Sequence, residues 1–315
     1  MPSYSSSFLI CHRGALGDFI LTWPTLYAVK KILPHHHFLG LGRPEYMRLA
    51  MSLGLLDSCL PMESAQMLDF FSGKSIPPEI GSPQGALLWL SQGKKTADLL
   101  QKFASLPVVL VNPFPAKTSY QTLPPSPLPY ADKKLPVALY HLLAVQAHFP
   151  TINLPPLSLC FSLQIKKGSY ALIHPGSGSP TKNYSPQFYQ DMAEALPRFG
   201  YRKVHFIFGP AEENLLAEKF PKGSIQCPKN VVELANLLAG AALYIGNDSG
   251  VSHLSGILGT PTIALYKTTD SEIWGALGKK VVHISALDER SAFDKIHKYL
   301  RDNTIIKSEG INYAF

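Results

Sequence analysis

The sequence predicts an α/β protein of two domains, each built on a parallel sheet. Three observations predict it. Short apolar runs alternate with amphipathic segments along the whole chain, the pattern of strand–helix units. The chain has 315 residues, about twice the usual domain size. Hydrophobic residues make up 46% and charged residues 16%, which suits large buried cores and excludes a disordered chain.

In the first half, FLICH reads as a strand and DFILTWPTLYAVKKIL as one helix. HFLGLG follows as a strand, PEYMRLAMSLG as a helix, ALLWLS as a strand, KTADLLQKFA as a helix and VVLVN as a strand. LPVALYHLLAVQAHF is a helix before a linker, INLPPLSL. Of 27 prolines, 19 fall in 1–160, and the stretch NPFPAKTSYQTLPPSPLPY is barred from regular structure. It reads as a long surface loop, the kind that is usually functional or mobile. In the second half, SYALIHP is a strand, PQFYQDMAEALPRF a helix, KVHFIFG a strand and AEENLLAEKF a helix. VVELANLLAG precedes the strand ALYIGN, the helix GVSHLSGIL, the strands PTIALY and KVVHIS, and a closing helix DERSAFDKIHKYLRD. The expected domains are 1–160 and 161–315, with the last helix able to pack back on the first domain. Ligands of such sheets bind at the carboxyl ends of strands, so a site is expected in a cleft between the two.

Lys plus Arg is 29 and Asp plus Glu is 22, a formal charge of +7. The charge is spread over both halves without a basic block, which argues against a nucleic-acid partner and suits anionic small molecules or an anionic membrane face. No apolar run reaches the roughly 18 residues that span a bilayer. The N-terminus lacks the basic region of a signal peptide, so a cytoplasmic protein is expected. Cys11, Cys59, Cys160 and Cys227 form no CxxC pair and are expected as buried free thiols. The tract His35, His36, His37 reads as a turn entering a strand rather than a metal tract.

The Rossmann GxGxxG, the P-loop, GxSxG, HExxH and a DxD carboxylate clamp are all absent. Three glycine-containing strand-to-helix junctions remain. In HRGALGDFILTWP, Asp18 stands at a helix opening; it is either a residue favoured by the helix dipole or a general base presented at a strand end. In HPGSGSPTKNYSPQF, a loop with Gly176 and Ser177 leads to Lys182, then to Ser185 as N-cap and Pro186 at the first helical position. A glycine loop, a lysine and a helix start form an anion site; a solvated loop lysine is the alternative. In YIGNDSGVSHLSG, Asp248 ends a strand, Ser249 and Gly250 open a helix, and His253 follows one turn later. Free N–H groups there suit a diphosphate, and Gly250 admits a ligand close to the backbone. The alternative is a tight turn with Asp248 as N-cap and His253 packed inside. Two anion-type junctions in one half and one carboxylate in the other suit a nucleotide-diphosphate donor held by the second domain.

The blocks GALGDFILTWPTLYAVK, HPGSGSPTKNYSPQFYQDMAEAL and LANLLAGAALYIGNDSGVSHLSGILGTPTIALY resemble the ADP-heptose:lipopolysaccharide heptosyltransferase family, glycosyltransferase family 9. The resemblance implies a GT-B architecture of two Rossmann-like domains facing a central cleft. It implies inverting, metal-independent transfer of heptose from ADP-heptose, or a related nucleotide sugar, to a lipopolysaccharide-core glycolipid, with no cofactor. It makes Asp18 the base, Lys182 the phosphate contact, and Asp248, Ser249, Gly250 and His253 the donor turn. Glu212 or Glu213 would meet the ribose. Where the family has a Gly-Pro-Thr-Asp-like run this chain has KTTD, so Lys267 either reaches the donor phosphates or lies at the surface. A glycolipid acceptor implies peripheral contact with the inner membrane, which a basic surface favours. Other readings are transfer of a different nucleotide sugar to another surface glycan, a catalytically silent nucleotide-sugar binder, and an epimerase using His174 and His253.

Overall fold

The computed structural model describes residues 6–114, 134–209 and 217–308. The chain divides into two compact units, Met1–Leu159 and Cys160–Phe315. The proline-rich loop lies outside the described residues from 115 onward.

The first unit holds a five-stranded sheet in the order β3-β2-β1-β4-β5, with every pair parallel. Its strands are β1 (Ser7–His12), β2 (His37–Gly42), β3 (Ser58–Pro61), β4 (Gly85–Trp89) and β5 (Val108–Val111). All five residues of β4 are buried, and so are the last five of β1. Parallel strands covered on both faces carry such unbroken apolar runs. Leu9, Cys11, Leu39, Leu41 and Leu88 pack on one side with Met67 and Phe70 of α4 (Ala65–Phe71). Lys30, near the end of α2 (Trp23–Ile32), ion-pairs with Asp57 at 2.7 Å, and Asp57 Oδ2 accepts the Phe38 N–H at 2.8 Å.

The second unit holds a six-stranded sheet in the order β11-β10-β9-β6-β7-β8, again all parallel. Its strands are β6 (Tyr170–His174), β7 (Lys203–Ile207), β8 (Ile225–Gln226), β9 (Leu243–Asn247), β10 (Thr262–Tyr266) and β11 (Val281–Ser285). Phe188, Tyr189 and Met192 of α7 (Pro186–Ala195) and Ala292, Ile296 and Leu300 of α11 (Glu289–Ser308) fill one face of it.

Several expectations are corrected. Residues 18–33 are not one helix. α1 (Leu16–Leu21) ends at Thr22, whose hydroxyl donates to the Phe19 carbonyl, and α2 restarts with Pro24 in its first turn. Proline has no N–H to continue a helical ladder, so the break falls just before it. The sequence does not predict β3, α4 or β8: the two strands have four and two residues, too few to show an alternation of polar and apolar positions. The helix expected over 211–220 lies outside the described residues up to 216, and Ala217–Lys219 is a 3-10 turn. Only Cys11 is buried; Cys59 is half-buried, and Cys160 and Cys227 are exposed.

Beneath the first sheet's carboxyl edge lies a buried polar pair. The Trp89 indole N–H donates to His141 Nδ1 at 3.2 Å, and His141 comes from α6 (Val137–Gln146). Burial pushes the imidazoles of His12 and His141 down to about 3, and for His141 the nearby His12 adds to the effect. The unfolded chain takes up protons on these rings from about pH 6.5 downward, while the folded rings stay neutral until about 3, so stability must fall as pH drops through that window. His141→Gln keeps an acceptor for Trp89 but does not titrate. Urea midpoints measured near neutral pH and near pH 4.5 should therefore differ less in His141→Gln than in the wild type. An unchanged difference would refute the burial argument.

Candidate functional site

In each sheet the strand order reverses at one place. The chain leaves β1 toward β2 and β3, then returns to β1's other side with β4. It leaves β6 toward β7 and β8, then returns with β9. At such switch points the loops after the two strands diverge and leave a crevice at the carboxyl edge. The three glycine-containing junctions follow β1, β6 and β9.

After β1 the turn runs through Arg13, Gly14 and Ala15 into α1. Asp18 does not open this helix; it is the third residue in. The N-cap is Ala15, which has no side-chain acceptor, so Asp18 Oδ2 reaches back to the Ala15 N–H at 3.3 Å. That is half of a capping box and holds the carboxylate over the turn. Beside it lies a pocket of about 610 Å³ lined by Arg13, Gly14, Phe71, Trp89, Gln92 and Phe114, among others. The Arg13 guanidinium stands 5.2 Å from the centre of the Phe71 ring, and Phe114 is half exposed. Aromatic faces beside hydrogen-bonding groups suit a sugar ring with anionic substituents.

After β6 the loop with Gly176 and Ser177 is stapled from β9. Asn247, fully buried, donates through Nδ2 to the Pro175 carbonyl at 2.8 Å and to Gly176's at 3.3 Å, and its Oδ1 accepts the Tyr189 hydroxyl at 2.6 Å. Ser177 Oγ lies 2.6 Å from Asn183 Oδ1. The loop ends in a 3-10 turn, Pro180–Lys182. Ser185 caps α7 by accepting the Phe188 N–H at 3.3 Å, with Pro186 first in the helix, as the sequence indicates. Glu289 of α11 takes the Ser185 N–H at 2.6 Å and fixes this corner from a third element.

The structure brings Lys182 and Asp248 together. Lys182 Nζ donates to Asp248 Oδ2 at 2.7 Å, and His253 Nε2 stands 3.8 Å from Asp248 Oδ1. Burial alone would raise the Asp248 carboxyl. His253, Lys182 and a hydrogen bond from Thr269 outweigh it and hold the group at about 2. The N-cap of α9 (Gly250–Ile257) is Ser249, not Asp248: its hydroxyl accepts the Ser252 N–H at 3.5 Å. Asp248 is thereby free for Lys182, while the N–H groups of Gly250 and Val251 have no acceptor within the helix. His253 is buried one turn in. Lys267 is not a bare surface lysine. It donates to the Asn183 carbonyl at 3.0 Å and lies 5.4 Å from the Tyr184 ring centre, beside the Lys182 loop. Glu212 and Glu213 lie outside the described residues. Among the described residues no three His, Cys, Asp or Glu side chains gather as a metal site, and no helix is long and apolar enough to cross a membrane.

Asn247, Tyr189 and Thr269 were missed in the sequence. Asn247 had a signal, a polar residue closing an apolar strand. Tyr189 had none, since it reads as one more core aromatic.

The model of glycosyltransferase family 9 (heptosyltransferase) matches residues 129–301, more than half of the chain. The chain belongs to this family. Lipopolysaccharide heptosyltransferase 1 of Salmonella typhimurium is 35% identical over 94 residues, 28% of this chain and 30% of that protein. Lipopolysaccharide heptosyltransferase 3 of Escherichia coli is 25% identical over 158 residues, 46% of this chain and 45% of that one. The chain thus spans about a third to a half of the length of these relatives. A solved glycosyltransferase family 9 structure from Veillonella parvula aligns with a TM-score of 0.68 at 16% identity, over 93% of this chain and 90% of that one. E. coli heptosyltransferase WaaC with ADP aligns with a TM-score of 0.67 at 19% identity, over 94% and 99%. These likenesses establish the fold: two parallel α/β sheets, as in GT-B-like family 9 structures.

The Lys182–Asp248 pair yields a stability test. Lys182→Ala takes the ion-pair partner from a carboxylate that is 7% exposed and leaves it His253 and Thr269, at an expected cost of about 2 kcal/mol, below the usual range for a buried pair because those partners stay and the lysine is 31% exposed. Asp248, depressed in the folded state, contributes stability above pH 4 or so that is lost as pH falls toward about 2. In Lys182→Ala that acid limb should flatten. Urea titrations across this range measure both effects, and a limb as steep as the wild type's would show that the pair does not hold Asp248 down.

Proposed function

We propose that this family 9 protein is an inverting, metal-independent glycosyltransferase that moves heptose from ADP-heptose to a lipopolysaccharide-core glycolipid. The observation that carries the reading is the placement of one carboxylate and one cation, each at the switch point of its own sheet. Two relatives bear the name lipopolysaccharide heptosyltransferase, and one solved neighbour holds ADP.

Asp18 takes the proton from the acceptor hydroxyl as that oxygen attacks the anomeric carbon, on the face opposite the diphosphate. The bond from that carbon to the diphosphate breaks, and the nucleoside diphosphate departs with the electron pair. Lys182 and the open N–H groups of Gly250 and Val251 stabilise its charge, so neither a general acid nor a metal is required. Gly176 and Ser177 shape the loop that presents Lys182. Asp248 and His253 fix that lysine, and Ser249 fixes the helix start. Glu212 or Glu213 serves the ribose. The pocket beside Arg13 and Phe71 receives the acceptor sugar. The net positive charge favours peripheral contact with an anionic membrane from the cytoplasmic side. A second reading is transfer from a different nucleotide sugar: Lys267 stands beside the Lys182 loop where the family has a Gly-Pro-Thr-Asp-like run, so this stretch departs from the family pattern. Thermal-shift comparison of ADP-, UDP- and GDP-sugars separates the two.

Asp18→Asn keeps an oxygen for the Ala15 N–H, so the fold and ADP affinity should hold while turnover falls by about 10²–10⁴. Sugar transfer and ADP binding measured on one purified variant decide it; near-normal transfer removes Asp18 from the mechanism. Transfer should also survive EDTA. Complete loss that Mg²⁺ or Mn²⁺ restores would sink the metal-free reading.

A further inference from the structure

We propose that His12 is a positioning residue for Asp18, an inference that builds on the reading of Asp18 as the base. His12 ends β1 and is 2% exposed. Its Nδ1 accepts the Gly14 N–H at 3.2 Å, while its Nε2 has no hydrogen-bond partner among the described residues. Accepting at Nδ1 puts the ring proton on Nε2 and makes the imidazole neutral. Burial favours the same neutral form.

An apolar side chain would be cheaper here, because a buried N–H without a partner costs free energy. What the imidazole adds is the acceptor for Gly14. The Phe19 ring, with its centroid 5.1 Å away, and the Trp89 ring at 6.5 Å fix its orientation.

Gly14 is the link to Asp18. A Cβ at Gly14 would stand 2.8 Å from His12 Cε1 and 3.2 Å from both Cβ and Oδ2 of Asp18. The glycine backbone is therefore wedged between the imidazole and the carboxylate, with no room for a side chain. The hydrogen bond at Gly14 sets one side of the turn, and Asp18's bond to the Ala15 N–H sets the other. Without the imidazole acceptor the Gly14 N–H loses its partner, the turn relaxes, and the carboxylate drifts from the attacking hydroxyl. A small misplacement of a reacting group is costly to rate and leaves donor binding on the second unit untouched.

The test is a double-mutant cycle read by steady-state sugar transfer. His12→Phe keeps a ring and removes the acceptor; His12→Asn keeps a side-chain acceptor. Each is made alone and in the Asp18→Asn background. His12→Phe should lower kcat about tenfold with the donor KM within about twofold, and His12→Asn should recover most of that loss. With Asp18 already replaced by Asn, His12→Phe should cost less than about twofold more, because its effect passes through Asp18. An equal loss in both backgrounds, or none in the wild type, overturns the inference and leaves the base assignment standing. Near-normal turnover of Asp18→Asn alone overturns the base assignment and this inference with it. If His12→Phe does not fold, His12→Leu removes the same acceptor with a smaller apolar side chain, and the same cycle is read with it.

Discussion

Parallel pairing is the constraint on which the rest depends. It sends every strand of a sheet the same way, so all the carboxyl ends gather along one edge. In both units the first strand lies inside the sheet, with later strands added to one flank and then to the other. The loops after β1 and β4, and after β6 and β9, must therefore part. Each functional candidate among the described residues belongs to the last residue of one of these strands, to the loop or helix that follows it, or, for Lys267, to the end of the strand beside β9. Nothing in Asp18 or Lys182 alone would make them notable; the topology does.

Within that edge, precision comes from buried polar groups. Asn247 satisfies two loop carbonyls and a tyrosine hydroxyl at once, and Glu289 reaches the Ser185 backbone from the last helix. The loop that carries Lys182 is thus held at both ends by elements distant in sequence. In a low-dielectric setting such a fully partnered network is stiff, and it would be costly if half satisfied. The first unit builds its turn with fewer parts, an imidazole, a glycine and a carboxylate.

How far the sequence could be read follows from where each signal sits. The apolar strands were legible because burial on both faces leaves an unbroken run, as in ALLWL. The junctions were legible because glycine and a charge interrupt such a run at its end. β3 and β8 were not, since strands of four and two residues at or beside a sheet edge carry no pattern of their own. The break at Thr22 had its signal in Pro24, but a continuous apolar periodicity runs across it, and Thr22 itself keeps a helical backbone with φ −86° and ψ −13°. The helix start was misplaced at Asp18, which is the third residue of α1 rather than its opening, whereas Ser249 and Gly250 open α9 as the sequence indicates and the alternative of Asp248 as N-cap falls away. Lys182 and Asp248 lie 66 residues apart, so their pairing is a property of the folded sheet. His12 looked like the tail of an apolar strand.

The Lys182–Asp248 pair has a consequence for selectivity. The lysine carries its counterion within the fold, the Asp248 carboxylate 2.7 Å away. A passing monovalent anion gains little by displacing a tethered competitor that is always at contact distance. A diphosphate differs in valence: it can meet the ammonium and at the same time engage helix N–H groups that Asp248 leaves unsatisfied. If Lys182 meets the donor as proposed, Asp248 is an internal exchange partner that the bound diphosphate displaces.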